Sequence, residues 1–350
     1  MRATLRALAV AASMALDART LPAGRLLVGY ATSRSLREDK VAPAVRHGVN
    51  VVIWSFAHLD RDEHDAPIVR PTFDVDAVRE TKARLEKEGL RPANLVAFGG
   101  WNGPHPDTRS TGAEWFDCWR AWNAEHGDVF DGIDIDYEGH DDAASPTSAF
   151  SSDIVEVVGD FCRAAKAAGF VVALAPAESY LDAASSAFNL RLDNAPLAPW
   201  EAGEGGFPDA FPYAGRNAYA AILARVGAES VDLVSVQLYE GYSRACHAVT
   251  REGADVADYA VSLAARLTAG FDVDGLGRVS LPREKLALGF ANGWADGEKF
   301  VRVEPEAAAA AAVAADLRGV MFWVIDEEGE PYAFSKRYSE EVRRLEEGEL

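Results

Sequence analysis

Eight short apolar runs alternate along this chain with stretches of helical periodicity, and no other feature restricts the fold as strongly. The runs cover residues 26–30, 49–57, 94–103, 131–138, 170–178, 231–240, 285–294 and 318–326. Helical patterns fill residues 37–48, 74–89, 113–127, 145–169, 217–226, 255–270 and 305–317 between them, and a last one at 335–347 closes the chain. Asp74 and Gly89 are suited to the two ends of the second helix, and Thr111 with Glu114 forms a capping box ahead of the third. Strands that are apolar almost throughout suit a parallel sheet, because successive side chains point to opposite faces and helices cover both. Eight such βα units in about 300 residues predict a (β/α)8 TIM barrel, a single α/β domain over residues 21–350. A doubly wound open sheet is the alternative, but no GxGxxG follows the first run.

The fourth run, DGIDIDYE at residues 131–138, departs from the apolar rule. Asp134, Asp136 and Glu138 alternate with Ile133 and Ile135, so in a strand the three carboxyl groups share one face, about 7 Å apart per step. Like charges on one face repel and aspartate is a poor strand former, so such a column needs a reason. A solvated acidic strand is one reading. A calcium loop is another, but the order of residues lacks its central Gly and distant Glu. In a barrel, chemistry is built at the C-terminal ends of the strands. Glu138 falls at that end, together with Tyr30, Trp101, Glu178, Tyr239, Glu240, Trp294 and Trp323.

A carboxylic acid beside a second carboxylate at a barrel mouth is the apparatus of glycoside hydrolysis. The charge of Asp136 would raise the pKa of Glu138 and keep a proton ready for a leaving oxygen, and with Asp134 below them the three titrate as a coupled set. Trp323, Trp294, Trp101 and Trp200 are suited to packing against the C–H faces of sugar rings. Trp115, Trp119 and Trp122 have helical spacing and read as core. Residues 179–215, rich in Pro, Gly and Asn, read as a binding loop or lid.

Charge and cysteine usage narrow the function classes. A net charge of -20 argues against nucleic acid, whose phosphates need a basic surface, and fits a neutral or cationic substrate. Cys118, Cys162 and Cys246 have no metal-ligand spacing and read as free thiols. No cofactor or metal is expected, and the protein is expected to be a monomer. Residues 1–20 carry Arg2 and Arg6 ahead of an apolar run at 7–16, which reads as a secretory signal or as a short helix under the fold. Secretion to the extracellular space is thus one expectation and a soluble intracellular protein the other. No run is long and apolar enough to predict a membrane span.

DGIDIDYE resembles the DGxDxDxE signature of family 18 glycoside hydrolases, the chitinases and endo-β-N-acetylglucosaminidases. AFGGW at 97–101 looks like that family's SxGG motif on strand three, VQLYE at 236–240 like its strand-six motif, and GVMFW at 319–323 like its strand-eight ending. The resemblance covers residues 26–345 and implies hydrolysis of β-1,4-linked N-acetylglucosamine, in chitin or chito-oligosaccharides, by a retaining, substrate-assisted route. It implies that Glu138 is the acid, that Asp136 orients the substrate's acetamido group, and that Asp134 supports Asp136. Tyr239 would then bond the acetamido carbonyl and Trp323 would carry the sugar, with Gln237, Glu240, Tyr30, Trp101 and Trp294 as further substrate-side residues. Cleavage of the N-glycan chitobiose core and non-catalytic sugar binding are the alternatives, and Glu138, which binding-only members usually lack, favours catalysis.

Two positions depart from the pattern. Ala97 stands where relatives carry a serine that helps hold the first buried aspartate, so Asp134 is expected to rely on Tyr30, with Ser55 as the other hydroxyl in range. Glu240 is one methylene longer than the Asp or Asn usual there. His140, Asp141 and Asp142 read as a solvated loop after the signature.

Overall fold

The computed structural model describes residues 19–101, 103–138, 151–189, 214–239, 243–295, 300–329 and 333–348. Eight parallel strands close on themselves: β1 (Leu26–Ala31), β2 (Val51–Arg61), β4 (Ala93–Trp101), β5 (Gly132–Glu138), β6 (Val171–Leu174), β7 (Leu233–Gln237), β10 (Leu286–Ala291) and β11 (Gly319–Trp323). The closing seam is the pairing of β1 with both β2 and β11. This is the expected barrel. Three strands add to it: β3 (Pro67–Pro71) runs antiparallel to the overlong end of β2, and β8 (Phe271–Val273) with β9 (Gly277–Val279) forms a separate hairpin.

The helices are α1 (Ser33–Arg37), α2 (Val41–Arg46), α3 (Val75–Lys87), α4 (Gly112–Glu125), α5 (Ser152–Ala167), α6 (Ala218–Val226), α7 (Arg244–Glu252), α8 (Val256–Ala269), α9 (Pro305–Ala314) and α10 (Phe334–Glu346). Their ends follow the local chemistry. Asp74 accepts from the N–H groups of Asp76 and Ala77 ahead of α3, and Thr111 and Glu114 cap each other across the start of α4. The first helical pattern, read at 37–48, is helical only as α2, and the polar segment ahead of it forms α1, with Asp39 in a left-handed turn between the two. The α7 helix was not foreseen within the sixth βα unit, where Pro-free polar sequence masks its short amphipathic pattern.

Strand alternation makes two cores. Outward residues such as Trp54, Phe98, Ile133, Ile135 and Leu174 pack with the helices in one cluster. Inward residues such as Leu26, Val28, Ile53, Leu95, Ala173 and Met321 form a second cluster inside the barrel. Trp115 and Trp119 are fully buried and Trp122 stacks on Phe130, so the three helical tryptophans belong to packing. Cys162 and Cys246 are buried free thiols and Cys118 is half-buried. No helix of the described residues is long and apolar enough to cross a membrane. Residues 1–18, Trp200, Glu240, His140, Asp141 and Asp142 lie outside the described residues.

Candidate active site

Ile133, Ile135 and Tyr137 of β5 face the helices, which leaves Asp134, Asp136 and Glu138 facing the barrel axis. All three are buried, at 0%, 2% and 6% exposure, in a column rising towards the mouth. Buried carboxyl groups need partners or protons. Tyr30, on β1 across the barrel, donates its hydroxyl to Asp134 Oδ2 at 2.6 Å. Gln237, on β7, donates Nε2 to Asp136 Oδ1 at 2.8 Å and to the Ala175 carbonyl at 2.8 Å. Asp134 Oδ1 has no hydrogen-bond partner among the described residues, and the residue beside Asp134 in the β4 register is Ala97, which offers only a methyl group. Burial pushes Asp134 up to about 7, the Tyr30 hydrogen bond opposing it. Burial, reinforced by the nearby charge of Asp134, holds the Tyr30 phenol well above its ordinary range. Ser55, the other hydroxyl considered, instead donates to the Ala31 carbonyl at 3.2 Å.

Backbone geometry keeps the column in place. Gly99 lies beside Asp136 in the register, has φ +114, and a Cβ on it would stand 2.4 Å from the Asp136 carbonyl oxygen. Gly100, at φ +81, gives its space to the Phe56 ring. Gly99 therefore lets β4 press against β5 beside Asp136, while Gly100 makes room for the Phe56 ring of β2. On the other side β6 pairs with β5 only as far as Ile135. Beyond that point the Tyr219 hydroxyl of α6 takes over, accepting from the Tyr137 N–H at 2.7 Å and lying 3.1 and 3.2 Å from the carbonyls of Tyr137 and Ile135. Sequence reasoning missed Tyr219 because its helix gives no local sign of a polar partner 82 residues away.

Aromatic rings line the mouth. Trp323 stacks on Phe56 at 5.9 Å and meets Tyr30, the partner of Asp134, at 5.5 Å. Tyr239 follows β7, is buried, and meets Trp294 edge-on at 5.9 Å, with Phe300 a further 4.7 Å from Trp294. Trp101 lies beside Glu138 in the register and is 41% exposed, and Trp294 is 39% exposed. These are the two large apolar side chains most open to solvent among the described residues. Phe56, absent from the expected set, completes the floor.

Glu178 needs correction. Strand β6 ends at Leu174, and Glu178 sits in a 3-10 turn, Glu178–Leu181. Its carboxylate accepts from the Tyr259 hydroxyl at 2.5 Å and the Ala245 N–H at 2.8 Å, away from the column. Nearby, Asp182 is paired with Arg244 at 2.7 and 2.9 Å. The expected strand continued through Pro176, which has no N–H for the ladder. Among the described residues no group of three His, Cys, Asp or Glu side chains is placed to hold a metal ion.

No family model and no curated protein matches the chain. Solved structures do. It is similar to a GH18 chitinase from Pseudoalteromonas aurantia, with TM-score 0.58, 16% identity, and coverage of 91% of this chain and 99% of that one. A fungal endo-β-N-acetylglucosaminidase of glycosyl hydrolase family 18 gives TM-score 0.58 and 17% identity over 93% of this chain and 99% of the other. A mutant GH18 chitinase from Cycas revoluta in complex with (GlcNAc)4 gives TM-score 0.54 and 14% identity over 91% and 99%. At these identities the likeness establishes a shared fold along nearly the whole chain.

Proposed function

We propose that this chain is a family 18 glycoside hydrolase that cleaves β-1,4 linkages between N-acetylglucosamine units of chitin or chito-oligosaccharides. The observation that carries the reading is the buried Asp134–Asp136–Glu138 column, facing the axis of a barrel whose mouth is walled by Trp323, Tyr239, Trp294 and Trp101. Glu138, uppermost, gives its proton to the glycosidic oxygen as the bond to the anomeric carbon breaks. The carbonyl oxygen of the substrate's own 2-acetamido group forms the new bond to that carbon, giving an oxazolinium ion. Asp136, held by Gln237, orients the acetamido N–H and offsets the positive charge that develops. Tyr239 bonds the acetamido carbonyl and Trp323 supports the ring. Water then opens the oxazolinium, with Glu138 taking the proton back, and the anomeric configuration is retained.

A second reading keeps the chemistry and changes the substrate to the N-glycan chitobiose core, since the fungal endo-β-N-acetylglucosaminidase covers as much of the chain as the chitinases do. Product analysis on chitotetraose and on a high-mannose glycopeptide in parallel separates the two. Cellotetraose should remain uncut, because it has no acetamido group. Release of cellobiose would overturn the substrate-assisted route.

A further inference from the structure

The β10 and β11 strands run side by side as far as the pair Ala291 and Trp323, and there the two backbones part. Asn292 bridges the gap. Its main-chain N–H donates to the Trp323 carbonyl at 3.0 Å, its Nδ2 donates to the Val324 carbonyl at 2.9 Å, and its Oδ1 accepts from the Val324 N–H at 2.9 Å. A carboxamide presents a donor and an acceptor along one edge, as the N–H and C=O of a single strand residue do towards a neighbouring strand, so the side chain continues the ladder one residue past the end of the strands. The orientation of the amide is fixed by its partners, since a backbone N–H can only donate and a carbonyl can only accept. The remaining polar group, the Asn292 carbonyl, accepts from the Ala295 N–H at 3.1 Å and closes the turn that carries Trp294. Asn292 is 3% exposed, and its N–H, C=O, Oδ1 and Nδ2 each bond to the segments that carry Trp323 and Trp294.

We propose that Asn292 is a positioning residue that fixes Trp323 relative to Trp294, and through it Tyr239, and so sets the aromatic frame into which an N-acetylglucosamine ring fits. The inference rests on the functional reading above for its ligand, and on geometry for its mechanism. Trp323 reaches Tyr30 and Phe56 on one side of the mouth, while Trp294 reaches Tyr239 and Phe300 on the other. Asn292 is bonded to the backbones that carry both.

The experiment compares Asn292→Asp, Asn292→Leu and wild type in steady-state hydrolysis of chitotetraose at about pH 8 and about pH 5. Asn292 is 3% exposed, so burial shifts a carboxyl introduced there by Asn292→Asp upwards, and the higher pH favours its ionised form while the lower favours its protonated form. Titratable or charged groups on the neighbouring segments are Tyr30, Tyr239, Asp326 and Arg302. Ionised, the carboxylate has no donor for the Val324 carbonyl; protonated, its O–H supplies one. Relative to wild type, Asn292→Asp should raise KM about tenfold at the higher pH, with kcat within about threefold, and the KM defect should shrink to about twofold at the lower pH. Asn292→Leu should raise KM at both pH values, with Asn292→Ser taking its place if the leucine variant does not fold. An unchanged KM in Asn292→Asp, a defect equal at the two pH values, or a loss confined to kcat or to Tm would overturn the inference. Tryptophan emission supplies a readout that needs no substrate: the change between the two pH values should be larger in Asn292→Asp than in wild type, whose own Asp134 titrates near the same rings. A wild-type enzyme inert on chitotetraose would count against the functional reading, and an emission change no larger than that of wild type would then count separately against the role of Asn292.

Discussion

Asp134 and Glu178 are both buried, and burial raises both to about 7, yet they use their oxygens differently. Both oxygens of Glu178 are engaged, one by the Tyr259 hydroxyl and one by the Ala245 N–H at the start of α7. Asp134 has one oxygen on Tyr30 and one with no partner among the described residues, and its strand carries two more carboxyl groups above it. Glu178 is a closed structural pair. Asp134 is the base of a column that leads to the mouth and keeps hydrogen-bonding capacity in reserve. A raised pKa is thus common to both carboxyl groups, and what sets them apart is the direction in which their neighbours lead.

The contrast is tested most severely by two glutamate-to-glutamine substitutions. Glu138→Gln should lower kcat on chito-oligosaccharides by about 10² to 10⁴ or more with Tm little changed, since it removes a general acid from an intact barrel. Glu178→Gln should leave kcat within about threefold and lower stability by about 1 to 3 kcal/mol, because an amide N–H₂ replaces an acceptor. Reversal of these two results would exchange the roles assigned to the two sites.

A somewhat smaller loss, of about 10²-fold or more, is expected for Asp136→Asn, together with a displaced acidic limb of the rate profile. The basis is its place two residues below Glu138 on one strand face. A pH–rate profile identical to wild type would mean that the two groups do not communicate.

Tyr30→Phe should lower activity about tenfold and cost about 1 to 3 kcal/mol, leaving Asp134 with no hydrogen bond to Tyr30. Ala97→Ser in that background should restore part of the activity, since residue 97 lies beside Asp134 in the register. A Tyr30→Phe enzyme as active as wild type would reduce Tyr30 to packing.

The smallest effect lies in the pH dependence of stability. Folding raises Glu178 from 4.5 to about 7, so across that window the native state holds a proton that the unfolded chain has released. The group's stabilisation is complete below the lower value and is lost as pH rises through the upper one. Thermal melts of Glu178→Gln should therefore decline less steeply than wild type between these limits. Parallel curves would show that Glu178 does not titrate there.

Much of this was legible in the sequence because it is periodic or local. Alternation with period two puts residues 134, 136 and 138 on one face whatever the rest of the chain does. Thr111 with Glu114, and Asp74, cap helices through residues two or three away. Even the long-range pair of Tyr30 with Asp134 could be reached, because the missing hydroxyl at Ala97 left a buried carboxyl group in need of a donor and β1 ends in a phenol. Glu178 was misplaced because the expected strand was carried through Pro176, which has no N–H to continue the ladder.

The sequence by itself determined the eight barrel strands, the closed parallel architecture they imply, and the carboxyl column, since each follows from side-chain alternation and helical period. Only the tertiary structure decided that Asn292 holds the Trp323 segment, that Tyr219 secures the end of β5, and that Phe56 lies under Trp323. Each of these depends on where neighbouring strands separate and which polar or apolar group is left facing the gap. That is set by the twist and register of the closed barrel and by contacts between residues tens to hundreds of positions apart, which no local pattern in the chain encodes.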